Sequence, residues 1–273
     1  MTSSPDAARF PDAPAIRATA AAMADAARAE TLRHFRSPAL VPDNKLATGF
    51  DPVTQADRAS ERAMRAILAR ERPEDAILGE EYGVQPGRSG LTWVLDPIDG
   101  TRAFMAGAPS WGVLIGVTAA DGPIYGIVDQ PHLGERFEGG FGRASLSDRA
   151  GTRALAARQG VDLAQATLMT TYPEVGNPAD HAAFRRVADR VRLTRYGLDC
   201  YAYALLAAGH VDLVIEAGLQ AYDVAAPIAV VQAAGGIVTD WQGRPAHGGG
   251  RILAAGSPAL HAQALALLGP ADD

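Results

Sequence analysis

Four short apolar runs follow one another in the first half of this 273-residue chain: AILGEE (76–81), TWVLDPID (92–99), GVLIGVTA (112–119) and IYGIVDQP (124–131). Each is bounded by Gly, Pro or Asp and reads as a strand. Two helical patterns precede them. From Pro14 to about Phe35, residues Ile16, Ala20, Met23, Ala27, Leu32 and Phe35 recur at helical spacing in an alanine-rich background. In DPVTQADRASERAMRAILAR (51–70), Thr54 is a good N-cap, Asp57 takes the third helical position, and Met64, Ile67 and Leu68 supply the apolar stripe. Beyond residue 150 the alternation resumes. ATLMTTY, VDLVIEAG, GIVTDWQGRP and RILAAG read as strands, while DHAAFRRVADRV, DCYAYALLAAG, DVAAPIAVVQAAG and the C-terminal segment read as helices. Layered α/β architecture follows from this pattern. The segment GRASLSDRAGTRALAARQG (142–160) is polar and weakly periodic, so the chain is expected to divide there: a frayed terminus at 1–12, an α+β half at 13–150 and an α/β half at 151–273.

Composition limits the function classes. With 48% hydrophobic residues the chain can bury a large core, and its net charge of -6 argues against a nucleic-acid footprint, which needs clustered Lys and Arg. An anionic substrate would therefore need metal ions for its positive charge. Cys200 is the only cysteine, which excludes an intramolecular disulfide and a cysteine-based zinc site and suits a reducing cytoplasm. The N-terminus lacks a basic stretch followed by an apolar run, so no signal peptide is expected, and the apolar run DVAAPIAVVQAAGGIV is too short and too broken by Pro227 and two glycines to span a bilayer.

The acidic residues fall where the strand candidates end. Asp96 and Asp99 leave WVL in a D-P-x-D-G-T arrangement, where Pro97 fixes the backbone and Gly100 permits a tight bend that aims both carboxylates one way. The same arrangement also occurs as a plain surface turn. Glu80 and Glu81 end AILGEE, and Asp223 opens a helix, where it could serve simply as an N-cap. Acids at three strand ends can converge on one pocket, and hard oxygen ligands suit Mg²⁺ or Mn²⁺. Several familiar nucleophile and nucleotide-binding patterns are absent. A nucleophilic D-x-D needs acids two apart, a cysteine phosphatase needs Arg six residues after its cysteine where this chain has Leu206, and no Walker loop, G-x-G-x-x-G or G-x-S-x-G is present.

GEE, LDPIDGT and YDVAAPIAVVQAAGG, preceded by DPVTQAD, resemble the four motifs of the inositol monophosphatase family, magnesium-dependent and lithium-sensitive phosphomonoesterases, in that family's order over residues 13–268. The resemblance implies a five-layered αβαβα sandwich, a homodimer, and two or three Mg²⁺ per site, with Mn²⁺ an alternative. It implies that Glu80, Asp96, Asp99, Asp223 and the backbone carbonyl of Ile98 ligate metal, with Asp96 bridging two ions. Asp57 and Thr101, with Glu80, would carry catalysis by orienting and deprotonating a water. The amides of Gly100, Thr101 and Arg102 would point at the phosphate.

Between the motifs, Glu216 matches the family's acidic residue on the substrate side, and Asp199 stands where inositol-specific members usually have a small residue. Two acids beside the leaving group suit a cationic alcohol better than a neutral polyol. LDPIDGTRAFMAG, DQPHLGERFEGG and GLDCYAYALLAAGHVDLVIEAGL look like the histidinol-phosphatase branch of the family, which implies L-histidinol phosphate as substrate. An inositol-1-monophosphatase or a broad small-phosphomonoester phosphatase is the alternative, and a non-catalytic metal- or phosphate-binding regulator the reading from a different class. Asp199 could also cap the helix that follows it, or do both, and Arg102 could meet phosphate or make a surface or subunit-interface ion pair. Lys45 falls near a lysine that some members place beside a metal.

Overall fold

The computed structural model describes residues 12–38, 43–44 and 52–269, so Lys45 and residues 1–11 of the expected frayed terminus lie outside the described residues. Seven helices occur among the described residues: α1 (Ala13–His34), α2 (Gln55–Glu71), α3 (Thr101–Ala106), α4 (Pro178–Ala188), α5 (Tyr201–Ala207), α6 (Ala221–Ala233) and α7 (Pro258–Leu268). The strands are β1 (Asp43–Asn44), β2 (Pro52–Val53), β3 (Ala76–Gly79), β4 (Gly83–Gln85), β5 (Thr92–Asp99), β6 (Gly112–Ala119), β7 (Gly122–Gln130), β8 (Glu135–Gly140), β9 (Arg143–Asp148), β10 (Gly151–Ala154), β11 (Thr167–Thr170), β12 (Leu193–Tyr196), β13 (Leu213–Gln220), β14 (Ile237–Thr239) and β15 (Gly249–Ala255).

β1 and β2 form a short pair, and the rest build two sheets. The larger has the order β10-β9-β8-β7-β6-β5-β3-β4 and is antiparallel except where β3 runs parallel to β5. The smaller, β12-β11-β13-β15-β14, pairs β11 in parallel with both neighbours.

Period-two alternation explains the layering. Trp93 and Leu95 of β5 and Val113, Ile115 and Val117 of β6 bury against Ile16 and Met23 of α1 and Met64 and Leu68 of α2. From the opposite face, Leu114, Val128 and Phe137 meet Tyr203 of α5 and Val224 and Val230 of α6, which also pack on Val214 and Ile252 of the smaller sheet. The outer face of that sheet, with Leu168, Ile215 and Leu253, is covered by Phe184 of α4 and Leu260 and Ala264 of α7. Helices, sheet, helices, sheet, helices: the protein is a five-layered αβαβα sandwich. Close approach of α6 to the larger sheet needs bare backbone, because a Cβ at Gly126 would lie 2.5 Å from the Ala226 carbonyl oxygen and one at Gly139 2.5 Å from Val230 Cα.

Two segments differ from the sequence reading. The polar stretch 142–160 carries β9 and β10, an edge hairpin of the larger sheet whose β10 is exposed throughout, which is why it shows no apolar alternation. Asp96 and Asp99 are not placed by a turn. β5 continues through both of them, and its pairing with β6 shifts register between Asp96, opposite Leu114, and Asp99, opposite Gly112.

Candidate active site

That register shift is a β-bulge, with one more residue on β5 than on β6, and it decides where the acids point. Residues three apart on a regular strand face opposite sides of the sheet, whereas one extra residue returns the second to the side of the first. Asp96 and Asp99 therefore both face the α5/α6 layer. Asp96 is 2% exposed, and its Oδ1 accepts from the Ile98 amide at 3.0 Å. Asp99 Oδ2 accepts from the Cys200 amide at 2.6 Å, just ahead of α5.

Asp223 arrives from the first turn of α6, where its Oδ2 accepts from the Gln220 amide at 2.6 Å. Capping and clustering coincide here. Asp96, Asp99 and Asp223 each bring an oxygen within 4.8 Å of the other two. Glu80 follows β3, anchored by its own amide on the Leu95 carbonyl at 3.1 Å, and its carboxylate lies in hydrogen-bonding contact with Asp96. The GEE turn is held from behind by Glu61 of α2, which is fully buried, pairs with Arg65 at 2.7 Å and accepts from the amides of Glu81 and Tyr82 at 2.7 and 3.2 Å.

Asp57 closes the α2 capping box. Its Oδ2 accepts from the Thr54 amide at 2.8 Å and the Thr54 hydroxyl at 2.5 Å. Burial, reinforced by Glu81 and Glu80, pushes its pKa up to about 7. Asp223 is pushed up to about 7 by burial and the charges of Glu80 and Glu216, and burial with the neighbouring acids raises Asp96 and Asp99 well above the carboxylate range. A group of hard oxygen donors that burial and mutual repulsion hold above their ordinary pKa fits a divalent cation, which would supply the missing charge. Beside it, Gly100 adopts φ 80° at the start of α3, and the Thr101 hydroxyl donates to the Ile98 carbonyl at 3.1 Å.

The acids open onto a cavity of about 240 Å³ lined by Asp99, Asp223, Asp199 and Glu216 together with residues 170–172, 174–176 and 217–219. Asp199 does not cap α5 with its side chain. That helix starts at Tyr201, and Asp199 sits in the left-handed region at φ 48°, its Oδ2 accepting from the Ser110 hydroxyl at 3.3 Å and its carboxyl pushed up to about 6 by burial. It faces Gly100 so closely that a Cβ there would lie 2.8 Å from Asp199 Cγ. Glu216 is buried and accepts from the Thr171 amide at 3.0 Å, the Thr171 hydroxyl at 2.5 Å and the Tyr203 hydroxyl at 3.1 Å. Arg102 is exposed and spans to the other half, donating to the Tyr172 hydroxyl at 2.9 Å with its guanidinium 5.5 Å from the ring centroid.

The fold thus gathers Asp57, Glu80, Asp96, Asp99 and Asp223, and brings Gly100, Thr101, Asp199 and Glu216 to their margin. Sequence reasoning missed Glu61, Ser110, Tyr172, Glu174 and Tyr203. One signal was available for the third and fourth: they follow β11, and residues beyond the carboxyl ends of parallel strands commonly line α/β sites.

A profile of the inositol monophosphatase family matches residues 13–271. The bifunctional phosphatase IMPL2, chloroplastic, of Arabidopsis thaliana is 40% identical over 255 residues, 89% of this chain and 72% of that protein. A histidinol-phosphatase of Mycobacterium tuberculosis is 36% identical over 254 residues, covering 90% of this chain and 96% of that one. The solved structure of an inositol monophosphatase from Zymomonas mobilis superposes with a TM-score of 0.82 at 41% identity, covering 95% of this chain and 98% of the other.

Proposed function

The chain belongs to the inositol monophosphatase family, and from that premise we propose that it hydrolyses L-histidinol phosphate to L-histidinol and phosphate, with Mg²⁺ as its metal. Phosphatase activity comes with the family. The observation that carries the substrate is Asp199, a carboxylate on the cavity wall directly against Gly100, where the phosphate end of a substrate would meet the acidic cluster. A carboxylate so close to the ester suits an amine one or two bonds from the phosphorylated carbon, as in histidinol phosphate, and offers a polyol only a hydroxyl contact. Similarity to the mycobacterial histidinol-phosphatase supports the same reading.

Glu80, Asp96, Asp99, Asp223 and the Ile98 carbonyl would hold the metal. Bound there, divalent cations neutralise the carboxylates, act as Lewis acids on the phosphoryl oxygens and lower the pKa of water. Thr101, fixed on the Ile98 carbonyl, would orient the attacking water, and Asp57, held by the Thr54 amide at the start of α2, would accept its proton. The amides of Gly100, Thr101 and Arg102 would hold the phosphate, and Arg102 adds charge above it. We extend the proposal to a cytoplasmic homodimer in histidine biosynthesis; among the described residues no helix is long and apolar enough to cross a membrane.

The second reading, an inositol-1-monophosphatase, is favoured by the Zymomonas mobilis structure. Phosphate release from L-histidinol phosphate and from myo-inositol 1-phosphate, side by side in Mg²⁺ with EDTA controls, separates the two. A kcat/KM preference above about a hundredfold for histidinol phosphate is expected, equivalent to about 2.7 kcal/mol in transition-state binding. Equal rates or an inositol preference would remove the histidinol reading and leave the metal chemistry standing.

A further inference from the structure

L-Histidinol phosphate has two recognition elements besides its phosphate: an ammonium near the ester and an imidazole at the far end of the chain. Asp199 beside Gly100 serves the first. The cavity wall contributed by residues 170–172 and 174–176 carries the means for the second. Glu174 lines the cavity and has no hydrogen-bond or ion-pair partner among the described residues, whereas Asp99, Asp199, Glu216 and Asp223 each already accept at least one hydrogen bond. Tyr172 lines the same wall. It is 46% exposed, and Arg102 donates to its hydroxyl at 2.9 Å with its guanidinium 5.5 Å from the ring centroid. Arg102 is the second residue of α3, directly after Thr101, so this contact links the aromatic ring to the phosphate end of the cavity.

Resting on the histidinol reading, we infer that Tyr172 and Glu174 form the imidazole subsite. Tyr172 presents its ring to the imidazole plane, and Glu174 accepts an imidazole N–H. A carboxylate can accept that bond whether the imidazole is neutral or protonated, since both forms carry a ring N–H. The aromatic contact is likewise available to both, as stacking to the neutral ring and as cation–π attraction to the charged one. Specificity then resides in this wall, because a polyol phosphate has no aromatic ring to stack on Tyr172 and offers Glu174 only a hydroxyl.

Glu174→Ala and Tyr172→Leu, two substitutions of exposed side chains, test the assignment when assayed on L-histidinol phosphate and on O-phosphoethanolamine, which keeps the amine and phosphate and lacks the ring. Each variant is expected to raise KM for histidinol phosphate about tenfold with kcat nearly preserved, and to lose at least several-fold less on phosphoethanolamine. Equal losses on both substrates, or no loss on either, overturn the subsite while leaving the substrate reading intact, provided the wild-type enzyme prefers histidinol phosphate over inositol phosphate. If the wild type shows no such preference, the substrate reading fails first and the subsite with it.

Discussion

The backbone N–H of Cys200 donates to Oδ2 of Asp99 at 2.6 Å. This bond joins the bulged end of β5 in the larger sheet to the residue that opens α5, in the helical layer between the sheets. Asp199 precedes that amide and Gly100 follows that aspartate, which explains why their contact is so close: one short hydrogen bond fixes the acidic cluster and the substrate-side carboxylate in a single frame. The cluster is repulsive by construction, with three carboxylates brought within 4.8 Å and raised above their ordinary pKa, so binding function has been bought with folding stability.

Asp96→Asn should therefore separate activity from stability. Removing the most buried charge of the group is expected to lower turnover by more than about a hundredfold, since it takes away a charge needed where the phosphate reacts. At a pH above the raised pKa of this carboxyl the same change should stabilise the metal-free protein, because a buried repelling carboxylate becomes a neutral amide. Thermal melts in EDTA beside steady-state rates in Mg²⁺ check both signs. A destabilised, active variant would remove Asp96 from the metal site.

Metal should stabilise the protein most above neutral pH. Asp223 is held at about 7 against an ordinary 3.8, so the folded state binds more protons than the unfolded one across that interval. Its contribution to stability is present in full below about pH 4 and is lost as pH rises through about 7. Metal-free protein should thus melt progressively lower from pH 5 to pH 8. Cations compete with protons for these oxygens, so the rise in Tm on adding Mg²⁺ should be larger at pH 8 than at pH 5, with about 2.7 kcal/mol of stabilisation when metal is at a hundredfold excess over its Kd. Calorimetry at the two pH values decides it, and an equal rise at both would contradict the cluster as the binding site.

Glu61 supports the site without belonging to it. Glu61→Ala leaves Arg65 and the amides of Glu81 and Tyr82 without their buried acceptor, and should cost about 3–5 kcal/mol in chemical denaturation. Glu61→Gln keeps an acceptor for the amides and should cost less. A Cβ at Gly79 would lie 2.0 Å from Glu61 Oε1, so Gly79→Ala is expected to displace the same clamp and weaken metal affinity alongside stability.

What could be read from sequence was local. Thr54 and Asp57 form a capping box within four residues, and the alternation that buries Trp93 and Leu95 on one face lies within β5 itself. The convergence of Asp96 with Asp99 was legible as a pair, but its cause was not, because the bulge exists only in the register against Gly112 on another strand. β12 escaped notice for a different reason: Leu193–Tyr196 is an edge strand with both faces largely exposed, so selection for burial left no period-two pattern. Glu61 looked like one more charge on an amphipathic helix. Only the approach of the Glu81 and Tyr82 amides, twenty residues on, makes it a clamp.

Asp199 is the residue on which substrate choice turns, and its backbone dictates how to test it. At φ 48° an alanine would add strain to any loss of charge, whereas asparagine tolerates the left-handed region and keeps the hydrogen-bonding shape. Asp199→Asn should raise KM for L-histidinol phosphate about tenfold, because an ammonium there loses a charged acceptor, and should leave the kinetics of myo-inositol 1-phosphate within a few-fold of wild type. The Ser110 hydroxyl, which donates to Asp199 at 3.3 Å, keeps an acceptor in the amide oxygen, so the site retains its geometry. Matched losses on both substrates would mean that Asp199 shapes the cavity beside Gly100 and does not select its occupant, and the burden of specificity would shift to the residues that follow β11.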